Sequence, residues 1–494
     1  MSSSAGHDHP VDRKLASRWH VVRILVSCLV LNFSATQASE LPSITNYDLT
    51  LQLGLKEQRA DIAATMSVRN QSSQPYQRIP FLLYRLFGVS SVLGHDGSKL
   101  RFSQHITSMS DEPSLQVNAI IVNLPMALQP GDSTTLTLRY EGSMFGYPEV
   151  MAYVKDRVDE EYSLLRPDAF AFPMLAETTF ASVAASYRAR FEYTLRTTVP
   201  EGYTVACGGE LVSKTSGSQG TLFLYKSKLP TWRMDLAVAK FRVLRDSVEQ
   251  LTTYYLPEDS GGAGNLLKAS TRAIHYYMDL FGAPKHYKGY TIVEIPEGWG
   301  SQAGDYYFLQ TAAAFRDTMR VGEAFHEIGH SWNARASAEV QRCRYFDEAF
   351  ASFFEALAIR RFRGENAFEE KMEAARRQFI ESAERDRQVF EVPIARYGDK
   401  EMGRHSYTKG AWSLYTLYEL VGEQTFASII RTMLSDFSGR TIDFAEYQQL
   451  CERVSKRDLK TYFDEWVRGS ESSTLLSEKV PIADIIRRYE HGKR

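Results

Sequence analysis

Apolar side chains recur at every second position along much of the first half of the chain: Tyr47, Leu49, Leu51 and Leu53; Ile62, Ala64, Met66 and Val68; Leu136, Leu138 and Tyr140; Tyr187, Ala189, Phe191, Tyr193 and Leu195. Successive side chains of a strand point to opposite faces, so this period predicts half-buried strands. Turn signals such as Gln129-Pro130-Gly131-Asp132 and Pro200-Glu201-Gly202 separate the runs. Residues 39–245 are therefore expected to form a β-rich domain. Beyond them the period lengthens. Asp259 to Gly264 reads as flexible punctuation, and Ile274, Tyr277, Met278 and Phe281 then follow helical spacing. A strand is predicted over Tyr290 to Ile295. Past Gly364 the pattern is helical, with Glu365 to Arg387 a charged, solvated face. The whole predicts an α+β chain whose second domain, 246–494, is mainly helical.

Composition narrows the classes of function. The 494 residues exceed one ordinary core, so two or three domains are expected. Lys+Arg 58 against Asp+Glu 60 leaves a net charge of -2, which offers no general attraction for nucleic acid or an anionic membrane. Arg13, Lys14, Arg18 and Arg23 precede the apolar run Ile24 to Phe33 and the small residues of Ser34-Ala35-Thr36-Gln37-Ala38. That order predicts a secretory signal over residues 1–38 and an exported protein, periplasmic or secreted. The run falls short of the roughly 20 residues that a spanning helix needs, so no stable membrane span is expected. Leu25-Val26-Ser27-Cys28 has the look of a lipoprotein cleavage box, but the apolar run continues past Cys28, which argues against a lipid anchor there. Cys207, Cys343 and Cys451 are odd in number and far apart, so they make no disulfide framework. Cys343 is expected to be a buried apolar filler.

One stretch specifies a chemistry. His326-Glu327-Ile328-Gly329-His330 sets two histidines four apart, so on a helix both imidazoles face one way and can close on a metal ion, with Glu327 beside them. A catalytic zinc takes three protein ligands and leaves a position for water. Glu348 is the chosen third ligand, at the start of a second predicted helix, Tyr345 to Glu355, from which a carboxylate can reach back across the turn. Farther on, His405-Ser406-Tyr407-Thr408-Lys409-Gly410-Ala411 opens another apolar-periodic segment, whose tyrosine could face the metal as a donor to a developing oxyanion.

Taken in order along the chain, these blocks resemble the gluzincin zinc aminopeptidases of the membrane alanyl aminopeptidase and leukotriene hydrolase type. There an H-E-x-x-H helix is followed by an Asn-Glu-Gly-Phe-Ala block, here Asp347-Glu348-Ala349-Phe350-Ala351, and by a Tyr-x-Lys-Gly block, here Tyr407 to Gly410. The resemblance implies one zinc ion per chain on His326, His330 and Glu348, Glu327 as general base and Tyr407 as oxyanion donor. It implies a saddle-shaped N-terminal β-sheet domain before a thermolysin-like, mainly helical catalytic domain, and a peptide substrate. Two departures stand out. Seventeen residues separate His330 from Glu348 where the family usually has eighteen, a one-residue deletion that a loop can absorb; Glu339 and Glu355 are worse placed. The family's Gly-x-Met-Glu-Asn strand, whose Glu binds the free amino end of a peptide, corresponds to Glu297 through Gly304, with Gly300, Ser301 and Gln302 as the substrate-binding positions. Gln302 brings no charge, which questions selectivity for free N-termini. His330-Ser331-Trp332-Asn333 also looks like the His-x-Trp-Asn continuation of the glycyl aminopeptidases. The rival readings are a binding protein that kept the fold and lost peptidase work, and a zinc hydrolase acting on internal peptide bonds, esters or epoxides.

Overall fold

A computed structural model describes residues 41–284 and 287–490. The expected signal segment and Cys28 lie outside them. The N-terminal half is built on a seven-stranded sheet ordered Glu210–Gly217, Gly220–Lys226, Glu192–Val199, Ser43–Gly54, Arg59–Arg69, Ser133–Ser143 and Phe87–Leu93. Register follows the hydrophobic alternation: Leu49 lies opposite Ala64 on one neighbour and Leu195 on the other, all fully buried. Slipping by one residue would turn that whole set to solvent, so the pattern fixes the pairing. Each buried Leu contributes roughly 1.5–3 kcal/mol. A three-stranded sheet of Tyr76–Tyr84, Gln116–Leu128 and Arg101–Ser108 shares the same core.

The alternation read from Tyr187 onward begins too early. Thr179 caps a short helix, Phe180–Ser186, by accepting from the Ser182 amide, and the strand starts only at Glu192. Tyr187 is the last-turn residue of that helix rather than a strand position.

A five-stranded mixed sheet opens the second half, ordered Arg242–Asp246, Leu251–Tyr255, Tyr290–Ile295, Tyr307–Thr311 and Gln302–Gly304. The expected domain junction after residue 245 falls inside the first of these strands. Tyr290–Ile295 is buried at every position, as a central parallel strand should be. Its parallel pairing with Leu251–Tyr255 requires a crossover, which the helix Ser260–Phe281 supplies. That helix corrects a second expectation. The glycine-rich stretch after Asp259 is not punctuation but the helix's first turn and a half. A Cβ on Gly262 would lie 1.5 Å from the Phe315 carbonyl oxygen, so the missing side chain is what lets the two backbones touch.

The other helices close one large aromatic core behind this sheet. Within it Gly322–Gly329 is clasped between Ser260–Phe281 and Phe350–Arg363. The Tyr277 hydroxyl lies 3.1 Å from the Phe325 carbonyl and 2.9 Å from that of Phe354, which ties the three together. Glu365–Arg385 buries only Phe368, Met372 and Phe379 along one stripe and presents its charges to solvent. Cys343 is fully buried, as the filler reading expects. No helix among the described residues is long and apolar enough to cross a membrane.

Candidate metal centre

The helix Gly322–Gly329 carries His326 on its last turn, and His330 follows at its C-terminal cap. The chain then crosses a short 3₁₀ turn, in which the Trp332 indole donates to the Gly282 carbonyl at 2.8 Å and pins the exit. It returns to the cleft as a single π-helical turn, Tyr345–Ala349, which runs straight into Phe350–Arg363. Such one-turn π segments recur at functional sites because the extra residue re-aims a side chain. Here it aims Glu348. One oxygen of Glu348 lies 3.0 Å from His326 Nε2 and 3.6 Å from His330 Nε2.

The ligand atoms of His326, His330 and Glu348 all fall within 4.8 Å of one another. Two imidazoles and one carboxylate on so small a triangle are the donor set that zinc takes at catalytic sites, so the residues fit that ion. Their orientation is held from behind. Asp347 sits 2.8 Å from His330 Nδ1, so the imidazole donates its N–H there and turns the Nε2 lone pair inward. On the other ligand, His326 Nδ1 is 3.8 Å from Glu355, which Lys371 holds at 2.5 Å. Arg344, in a left-handed backbone conformation with φ 56°, pairs with Asp347 at 2.7 Å and with the second oxygen of Glu348. One guanidinium thus steadies both a ligand and the support of another. Asp347 is adjacent to Glu348 in sequence, but nothing in the sequence marked it or Arg344 as functional.

Glu327 is buried on the same helix, and burial lifts its carboxyl to about 7 against the pull of the two histidines. A carboxyl tuned there can take a proton and give it back near neutral pH. Tyr407 ends a 3₁₀ turn, Gly403–Tyr407, just before the helix Lys409–Val421. Its ring stacks on His326 with centroids 5.6 Å apart and planes 8° from parallel. Burial and the neighbouring Glu348 charge raise its pKa well above the usual phenol, so it stays a donor.

The three substrate positions lie at the sheet edge. Ser301 Oγ accepts from the Thr311 amide at 3.1 Å, and Gly300 packs against the Tyr153 side chain, where an added Cβ would come within 3.1 Å of the Tyr153 Cβ and 3.4 Å of its ring. Gln302 starts the edge strand Gln302–Gly304, which packs against the histidine helix. Its amide oxygen accepts from Arg166 at 2.9 Å and Arg233 at 2.6 Å. Asp168 accepts from the Gln302 amide nitrogen at 3.3 Å. Burial would lift Asp168, but Arg233 and Arg166 outweigh it and keep the carboxyl below the usual range. The sequence held no sign of Asp168, Arg166 or Arg233 in this role.

Residues 267–466, the part of the chain that carries the triad, match the peptidase family M1 domain. The fold is also that of solved M1 structures. A zinc metallopeptidase from Deinococcus radiodurans shares 17% identity over 86% of this chain and 94% of its own, with a TM-score of 0.64. A mutant of that enzyme bound to a Tyr-Ser-Ala substrate superposes with a TM-score of 0.62, at the same identity and coverage. Yeast LTA4 hydrolase shares 13% identity over 87% of this chain and 68% of its own, again with a TM-score of 0.64. No curated protein matches the chain.

Proposed function

We propose, from the peptidase M1 domain that surrounds the triad, that this chain is a zinc-dependent metallopeptidase and that it acts as an aminopeptidase on peptides. The observation that carries the reading is the convergence of His326, His330 and Glu348 with Glu327 and Tyr407 beside them. His326, His330 and Glu348 would hold a zinc ion, which would supply Lewis acidity toward a carbonyl oxygen and lower the pKa of water near neutral pH. Glu327 takes the proton of the attacking water and returns it to the leaving amine. The Tyr407 hydroxyl donates to the oxygen on which negative charge develops, and its stacking on His326 holds it in place beforehand. Asp347 and Arg344 keep the ligand set pre-ordered, so little reorganisation is needed at the moment of reaction.

A catalytically altered binding protein would have no use for a buried carboxyl tuned toward neutrality beside a half-buried phenol stacked on a ligand histidine. The test is metal content of the purified chain together with hydrolysis of aminoacyl anilides and N-blocked peptides, by the wild type and by Glu327→Gln. One zinc per chain and free-amine hydrolysis that Glu327→Gln abolishes is the expected result. Zinc without hydrolysis across the panel would refute the reading, and cleavage of blocked peptides alone would replace it with an endopeptidase. Export is part of the same proposal, supported by the basic, apolar and small-residue succession of residues 13–38. The N-terminal mass of the mature protein tests it.

A further inference from the structure

Where the loop after the short helix Phe180–Ser186 meets the second half of the chain, three arginines come together. Arg188 and Arg190 lie on that loop, and Arg335 lies five residues past His330. Arg335 Nη2 donates to the Arg188 carbonyl at 2.9 Å. Arg190 donates to the Pro230 carbonyl at 3.0 Å and pairs with Asp305 at 2.8 Å. All three arginines are exposed. Among the described residues no carboxylate pairs with Arg188 or Arg335, so Asp305 leaves the cluster two positive charges in excess. Desolvation, and then the charges of Arg190 and Arg188, hold the Arg335 guanidinium below its ordinary pKa. Like charges gathered without a counter-ion carry a standing cost, which an anion seated among them offsets.

The cluster is tied to both sides of the metal centre. Asn333, two residues before Arg335, lies 2.8 Å from His330 Nδ1 and donates to the Asp347 carbonyl at 3.1 Å. Asp305, the partner of Arg190, directly follows the edge strand Gln302–Gly304, which packs against the histidine helix. Five residues of extended chain span at most about 18 Å, so a peptide roughly six residues long, cleaved at the metal ligands, reaches the arginines. Half-buried rings stand beside them: Tyr187 adjoins Arg188 and meets Trp232 edge-on at 5.8 Å. Free guanidinium N–H groups match the geometry of a carboxylate. Because each such contact is exposed and weak on its own, a run of acidic residues gains far more from the cluster than a single one does.

We propose that Arg188, Arg190 and Arg335 dock acidic side chains of the substrate beyond the scissile bond, so that the preferred substrates are acidic oligopeptides. This rests on the peptidase reading above. The full-length, zinc-loaded protein is assayed on leucyl-pentaalanine amide and on the same peptide with glutamate, or with lysine, at its last three positions. The quantity read is the ratio of kcat/KM values. Wild type favours the glutamate peptide at low salt, and added salt draws the ratio toward one. Arg188→Gln with Arg335→Gln lowers it roughly three- to thirtyfold, the worth of two exposed charge contacts. Arg188→Glu with Arg335→Glu reverses it in favour of the lysine peptide. Fluorescence anisotropy of the labelled peptides on a Glu327→Gln background reads the same discrimination without turnover. A wild type indifferent to peptide charge, a ratio that the arginine variants leave unchanged, or a preference confined to peptides with a free C-terminal carboxylate overturns the proposal. Cleavage of none of the peptides, with glutamate-peptide binding that still depends on the arginines, would overturn the peptidase reading and leave the docking cluster standing.

Discussion

Lys409 is fully buried two residues past Tyr407, where its ammonium donates to Ser473 Oγ at 2.9 Å. Burial pulls its pKa from 10.5 down to about 7, with the Glu471 charge opposing only in part. The sign of the consequence follows from proton counting. Below about pH 7 the amine is charged in both states, and the native protein carries the whole cost of the buried charge. Between about 7 and 10.5 the unfolded chain holds a proton that the native one lacks, so stability climbs with pH; above that range the cost is gone. Some three and a half pH units at ~1.4 kcal/mol each set a ceiling of ~5 kcal/mol on the penalty. Replacing the side chain with methionine orphans no partner, because the Ser473 hydroxyl still donates to the Phe390 carbonyl at 2.7 Å. Lys409→Met is therefore expected to stabilise the protein by about 2–4 kcal/mol near neutral pH, with the gain shrinking by ~1.4 kcal/mol for each unit of pH above that. Urea titrations followed by circular dichroism near neutrality and about two pH units higher, on zinc-saturated protein, measure it. A variant less stable at both pH values, or a difference that does not move with pH, would refute the reasoning.

Three more expectations come from the same contacts. Tyr407→Phe removes one donor from the developing oxyanion and no metal ligand, so kcat should fall about a hundred- to a thousandfold at unchanged zinc content; steady-state kinetics with unaltered turnover would sink that role. Arg344→Met leaves Asp347 and Glu348 side by side without their shared cation, and, as the guanidinium is 34% exposed, the cost to the chelated protein should be only about 1–3 kcal/mol; zinc should restore much of the lost melting temperature, and equal melting of variant and wild type under chelator would contradict it. Gly262→Ala should cost about 3 kcal/mol or more, because its Cβ falls on the Phe315 carbonyl, whereas Gly261→Ala and Gly264→Ala, which meet nothing within 4 Å, should gain roughly 0.4–1 kcal/mol; three indistinguishable melting curves would show that the first turn of that helix can shift.

What the chain discloses in one dimension is what recurs at short range. The two-residue period placed the strands around Leu49 and Leu51, and the four-residue step of His326 and His330 placed two ligands on one helix face, because both signals are local geometry written into spacing. Glu348 was within reach for a related reason, since a short connection with two 3₁₀ turns, His330–Trp332 and Gln341–Cys343, separates its π-helical segment from the histidine helix. The failures share a cause. Asp259 to Gly264 has the composition of a hinge, yet Gly262 is there for a close approach to Phe315, more than fifty residues away, and no window of sequence contains both. The charge cluster around Gln302 is the extreme case: Gln302 meets Arg166 across 136 positions, and Arg233 meets Asp168 across 65. A pairing of that kind leaves no period and no motif. The sheet edge brings Asp168 beside Gln302, so the carboxylate nearest that position comes from the N-terminal half, and the charge around the edge strand is set by the contact between the two halves and not by either motif.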